Sequence, residues 1–251
     1  AAWGPRTQTA VVTTAMHLLT KSGEAPLRRL EAAIAEGASI PISELEKIYP
    51  DLQSNPVNAI ESEMALLRAA KQRTVDAYYA YRLGMLGKVV AMVSSPLNDA
   101  PPTYRNLYYA DVDRAIGGIT LKPSSRKEVD PKNYFIQLFS EISTTNEMIL
   151  KEYQDGKGFS GIASSTLADN ASRSVAAVAD IWWSVLSSRS AAGAVSEIQL
   201  QDYVLTAYRF YIQRRNLAEI AAADENYSEI TAVTADMRAK IGDMMLESGL
   251  A

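Results

Sequence analysis

Apolar residues recur along this chain at three- and four-residue intervals, the spacing that lines one face of an α-helix. Ala10, Val11, Ala15, Leu18 and Leu19 form the first such face, in a helical run over 9–19 that stops at Lys21-Ser22-Gly23. Pro26 suits a first helical turn, where its missing N–H would go unbonded anyway. It predicts a short helix over 27–36, ended by Gly37. Ser43, with Glu46 three residues on, has the form of a capping box and predicts a helix over 44–49. Asn55-Pro56 opens a longer pattern through Ile60, Met64, Leu67 and Ala70, and another runs over about 75–94 before Pro96.

Between about 96 and 130 the periodicity fades. Pro101-Pro102, Gly117-Gly118, Pro123 and Pro131 predict a long irregular excursion holding one short helix over 111–116. A loop of that length inside a compact domain is commonly functional or a boundary. The reading here is a surface excursion that covers a cleft, with simple packing as the alternative. Helical spacing returns over 133–154 through Phe135, Leu138, Phe139, Ile142, Met148, Ile149 and Tyr153, and ends at Gly156 and Gly158. A helix over 167–188 follows, then a small-residue break at 191–194. Ser196 caps a final pattern through Ile198, Leu200, Tyr203, Val204, Ala207, Tyr208, Tyr211 and Ile212. That pattern extends to about 246, with an interruption at Asp224-Glu225-Asn226. No sustained strand alternation occurs. The expectation is an all-α, multi-helix bundle forming a single domain over 1–251.

Composition narrows the chemistry. A chain of 251 residues with 47% hydrophobic and 22% charged residues can bury a core without metal or disulfide staples. A net charge of −4 gives no bulk field favouring nucleic acid, so no nucleic-acid partner is expected. The absence of Cys removes disulfides, thiolate zinc sites and thiol nucleophiles together. The single His, His17, limits any Ser-His-Asp arrangement to that residue. No Gly-rich phosphate loop or dinucleotide fingerprint is present. No apolar run reaches the roughly 18 residues of a spanning helix, so no transmembrane segment is expected.

Two segments carry a family resemblance. The first is Trp3-Gly4-Pro5-Arg6-Thr7-Gln8, leading into the first helix. The second is Leu86-Gly87-Lys88-Val89-Val90-Ala91-Met92-Val93-Ser94-Ser95-Pro96-Leu97-Asn98-Asp99. Together, in this order, they resemble the zinc-dependent phospholipase C and single-strand nuclease superfamily. In that superfamily a Trp-Gly start is followed by a zinc-binding His at the position of Gln8. The nuclease branch carries His-Phe-Ile-Gly-Asp-Ile-His-Gln-Pro-Leu-His where this chain ends its helix at Pro96-Leu97. The resemblance therefore places Lys88 and Ser94 at two His ligands, Met92 at an Asp ligand and Asn98 at a third His. It places Trp3 where a terminal amino group and carbonyl ligate zinc, although Ala1-Ala2 precede it here. Asp51, in Pro50-Asp51, resembles a Pro-Asp ligand of the phospholipase branch, although the preferred reading of so common a pair is a turn or helix cap. A late His-x-x-x-Asp/Glu pair is also implied, and no His follows His17 to supply it.

Clustered zinc needs imidazole nitrogens and carboxylates with an open position for an activated water. Lys88 puts a cation where the metal charge would lie, and Met92 is too soft a ligand for hydrolytic zinc. The resemblance thus implies the scaffold without its metal: Trp3, Gln8, Asp51, Lys88, Met92, Ser94 and Asn98 as degenerate ligand positions, no catalytic residue and no cofactor. The expected function is that of a non-catalytic binding or structural protein, with a protein or small molecule in the old cleft. The small residues Ala1-Ala2 before Trp3 suit a signal-peptase site, and with the resemblance they lead to an expectation of export to the periplasm or beyond. The alternative is a hydrolase with a rebuilt carboxylate site on Asp51, Asp111 and Asp113. If the ancestry holds, Gln8, Lys88, Met92, Ser94 and Asn98 should converge, and Lys88 should meet a carboxylate, with Asp51 foremost.

Other features are more generic. Tyr outnumbers Phe by 13 to 4, which suits either core edges or clefts. Trp182-Trp183 cannot both face one core, since adjacent helical residues point about 100° apart. Arg209, Arg214 and Arg215 lie among aromatics and read as anion-binding or as snorkelling partners of Glu219.

Overall fold

The computed structural model of the chain describes residues 2–21, 28–71, 75–122, 127–187 and 195–251. Among the described residues there are 12 α-helices and no strand. They are α1 (Pro5–Lys21), α2 (Glu31–Ala38), α3 (Ile42–Ile48), α4 (Pro56–Ala70), α5 (Ala77–Val93) and α6 (Pro102–Ala115). Then come α7 (Pro131–Gln154), α8 (Ile162–Ser165), α9 (Leu167–Leu186), α10 (Glu197–Gln213), α11 (Leu217–Tyr227) and α12 (Ala235–Glu247). The all-α class follows from the periodicity. Residues 22–27 and the break at 191–194 lie outside the described residues.

Several local expectations need correction. Helix α1 starts at Pro5, one turn earlier than the apolar pattern. Its cap comes from α6: Asp113 Oδ1 accepts from Thr7 N–H at 2.9 Å and from the Thr7 hydroxyl at 2.7 Å, and Oδ2 accepts from Arg6 N–H at 3.3 Å. Helix α3 starts at Ile42 with Pro41 in the cap position and no side-chain cap bond, so Ser43 and Glu46 form no capping box. Within the expected excursion over 96–130, residues Pro102–Ala115 form a helix, α6. Pro101-Pro102 initiates α6 rather than interrupting the chain, and Tyr108, Tyr109 and Val112 of α6 are buried. The C-terminal helices break at 214–216 and 228–234, not at Asp224-Glu225-Asn226. Asn216 caps α11 and Thr234 caps α12.

The chain groups into two compact units: Ala1–Met64 with Ala80–Ser187, and Ala65–Tyr79 with Ser188–Ala251. In the first, α1 packs chiefly against α9, whose Ala171, Val175, Val178, Trp182 and Val185 are fully buried. A buried Val or Leu of this kind contributes about 1.5–3 kcal/mol. The Trp182 indole N–H donates to Leu83 O at 2.8 Å, tying α9 to α5, while Trp183 is only half-buried. Helices α2 and α5 meet backbone to backbone. A Cβ at Gly84 would come within 2.0 Å of Ile34 O, and one at Gly37 within 1.8 Å of Tyr81 O. Only glycine allows that crossing.

In the second unit the tyrosines form the core. Tyr78 meets Tyr203 at 5.1 Å and Phe210 at 5.4 Å between ring centroids. Their polar tips are bonded: Tyr79 O–H donates to Leu67 O at 2.9 Å, Tyr211 O accepts from Tyr78 N–H at 3.1 Å, and Tyr227 O–H donates to Asp76. The arginines take local partners. Arg214 stacks on Phe210 at 3.6 Å, and Arg215 donates to Ser248 O at 2.9 Å.

Candidate functional site

The site is built on the N-terminal segment and helices α1, α2, α3, α5 and α6 of the first unit. Trp3 is buried, and its indole N–H donates to Ser174 Oγ of α9 at 2.9 Å. Gly4 passes so close to α6 that a Cβ there would lie 2.5 Å from the Asp113 carboxylate. The Trp-Gly pair therefore fits by contact: the indole anchors on α9 and the glycine lets α6 cap α1. That cap sets the rotation of α1 and brings Gln8 inward. Gln8 Nε2 is buried and meets no acceptor among the described residues.

Lys88 comes from the opposite wall. The Gly37–Gly84 crossing draws the end of α2 against α5, and the Ile40 carbonyl then accepts from Lys88 Nζ at 2.5 Å. Burial lowers the pKa of the Lys88 ammonium below its ordinary value. The expected carboxylate partner is absent. Asp51 is exposed in the turn after α3, where it accepts from Asn58 Nδ2 at 3.4 Å, and no described ion pair joins it to Lys88.

Trp3, Gln8, Val12, Ala38, Lys88 and Met92 line one cavity of about 550 Å³. Neither Asp nor Glu contributes to its lining, and Lys88 is its single formal charge. Four of the positions that the resemblance assigns to zinc ligands thus meet around one space, although Gln8 and Lys88 are 80 positions apart in sequence. The others divide. Ser94 is buried behind Trp3, and its hydroxyl donates to Ser174 Oγ at 2.9 Å. Asn98 faces a second cavity of about 860 Å³, which shares Met92 with the first. Leu97, just before it, has φ of 60°, and Tyr109 O–H fixes this turn by donating to Pro96 O at 2.6 Å. Burial pushes the Tyr109 phenol up to about 12. Asp51 lies outside both cavities.

The sequence reading missed Ser174. With Asn170 one turn earlier it gives α9 two buried polar positions on one face, at 0% and 2% exposure. Polar residues four apart within an otherwise apolar helix are the signal that could have found them.

Comparisons with family models, with curated proteins and with solved structures return no match.

The donor set decides what this geometry can hold. Among the described residues no three His, Cys, Asp or Glu side chains gather where they could bind a metal. His17 is exposed. Asp113 is used as the α1 cap, and Asp111 accepts from Tyr153 O–H at 2.6 Å and pairs with Arg114. The carboxylates of the rebuilt-hydrolase alternative are thus separated and already bonded. No helix among the described residues is long and apolar enough to cross a membrane.

Proposed function

We propose that the chain is a non-catalytic binding protein on a scaffold shared with the zinc-dependent phospholipase C and nuclease superfamily, acting outside the cytoplasm. One observation carries this reading: Trp3, Gln8, Lys88 and Met92 line a single cavity, at positions where the resemblance expects zinc ligands. A cation and a thioether there cannot assemble a hydrolytic metal centre. A concave space of this size, largely apolar with a few convergent polar groups, is the ordinary form of a small-molecule site. The extracytoplasmic setting rests on the resemblance.

The test is metal loading and activity together. Protein incubated with excess zinc and then dialysed should retain well under one equivalent by elemental analysis. It should also leave phosphodiester and phospholipid substrates intact. Two or three retained zinc ions per chain, or metal-dependent hydrolysis abolished by Lys88→Ala, would overturn the proposal.

A further inference from the structure

The cavity's polar groups point to the chemistry of its occupant. All fifteen lining positions are free of acidic side chains, and one cation is present. Lys88 Nζ has three N–H donors and spends one on a neutral carbonyl, Ile40 O. Gln8 Nε2 is a buried donor with no acceptor among the described residues. A buried donor left unmade is costly, and a half-buried ammonium with no carboxylate in the wall is partly desolvated without a counter-charge. The wall also carries the neutral polar side chains of Thr9, Thr13, Ser39, Asn106 and Tyr109, and its apolar part is formed chiefly by Trp3, Val12, Ala38, Ile42 and Met92.

From this juxtaposition we infer that the cavity takes an amphipathic monoanion, a carboxylate joined to an apolar body. Its two oxygens meet Lys88 Nζ and Gln8 Nε2, while the body covers Val12, Ile42 and Met92. A single positive charge matches one negative charge. A doubly charged phosphate monoester would bring a second charge with no partner in the wall. Burial of the apolar body supplies binding free energy, and the charged hydrogen bond supplies selection for an anion over a neutral chain. The inference rests on the reading of this cavity as a binding site and adds the class of ligand.

Calorimetric titration of the full chain with four ten-carbon probes separates the two ideas. The probes are decanoate, decanol, decylamine and monodecyl phosphate. Decanoate should bind at least about tenfold more tightly than decanol or decylamine, and more tightly than the phosphate. Lys88→Met should reduce decanoate affinity about tenfold or more while leaving decanol unchanged. Thr13→Trp, which fills the cavity from α1, should abolish binding of every probe. Circular dichroism of each variant shows whether it is folded. Equal binding of decanoate and decanol, insensitive to Lys88→Met but lost in Thr13→Trp, would overturn the carboxylate inference and leave the binding site standing. Tighter binding of monodecyl phosphate would also overturn it, in favour of a dianion. No binding of any probe would overturn both.

Discussion

Helix α5 carries two inward-facing cations a turn and a half apart, and the protein treats them differently. Arg82 is 6% exposed and meets Glu63, itself 1% exposed, through two charge-assisted bonds of 2.9 and 2.6 Å. Its fork is matched by a carboxylate of equal burial. Lys88 has a neutral carbonyl and a cavity. In the Arg82 region the buried cation faces a buried carboxylate. The Lys88 region is open, with donors unspent and no acid in its wall. Burial alone therefore does not mark function. A buried cation that the fold has neutralised belongs to the architecture. A half-buried cation that meets only a neutral carbonyl, beside a space without acids, is what the proposed ligand would neutralise.

The largest way to break this contrast is to open the closed end. Glu63→Ala removes the carboxylate that accepts both charge-assisted bonds from Arg82, and breaking a buried pair in this way costs about 3–5 kcal/mol. For a chain of this size the unfolding midpoint should fall by about 10 °C. Replacing both partners, as Glu63→Leu with Arg82→Met, should recover most of the loss, because the penalty lies in the orphaned charge. A midpoint for Glu63→Ala within 2 °C of wild type, roughly 1 kcal/mol or less, would remove the distinction between the two ends.

The next effect is geometric. Gly84→Ala places a methyl 2.0 Å from Ile34 O, so α2 must move away from α5. Overpacking of this kind costs about 1–3 kcal/mol. It also withdraws the Ile40 carbonyl from Lys88, so decanoate binding and stability should change together. Stability unchanged in Gly84→Ala would show that the two backbones are not in contact.

These two sites also show what the sequence could tell. The class, most helix positions and the cap at Ser196 were legible, since each depends on residues a few positions apart. The positions around the cavity were legible only through a resemblance, because Gln8 and Lys88 reveal nothing about each other in isolation. Features set by distant partners were not legible. The cap of α1 is Asp113, which local reading treats as one of two loop acids. The anchor of Trp3 is Ser174, hidden within an apolar helix. The carbonyl at Lys88 belongs to Ile40, and a main-chain oxygen carries no signature in side-chain order. Asp51 failed as the expected partner for the same reason: Pro-Asp describes a turn, not where the turn ends up.

A smaller effect separates Lys88 from Arg82 by pH. In the folded protein Lys88 loses its proton below 10.5, its ordinary value, because burial disfavours the ammonium. Between those two points the unfolded chain holds more protons than the folded chain, so stability attributable to Lys88 rises with pH. Below the folded value the burial penalty is full and constant. Lys88→Met should be within about 1 kcal/mol of wild type near neutrality, since an apolar side chain avoids that penalty. The wild-type midpoint should then gain on Lys88→Met as pH climbs toward 10.5. Subtraction of the two profiles cancels the tyrosines common to both, and Tyr109 in the same cavity titrates only near 12. A difference that stays flat or falls through this window would mean that Lys88 is not buried as charged.

The smallest expected effect is that of metal removal. In a domain assembled on a metal, binding free energy is folding free energy, and chelation lowers the melting temperature. Here the N-terminal segment is held by Trp3 on Ser174 and by Asp113 on α1, two attachments made of protein groups alone. The open end of α5 is likewise held by Ile40 rather than by a ligated ion. EDTA at millimolar concentration should shift the midpoint by less than about 1 °C, and added zinc should do no more. A fall of many degrees would show that a cation completes the cavity region, and the contrast between the two ends of α5 would then be one between two neutralised charges. Persistence of the midpoint, combined with loss of stability in Trp3→Phe of about 1 kcal/mol from the missing indole N–H bond, would assign the anchoring of the N-terminus to Ser174.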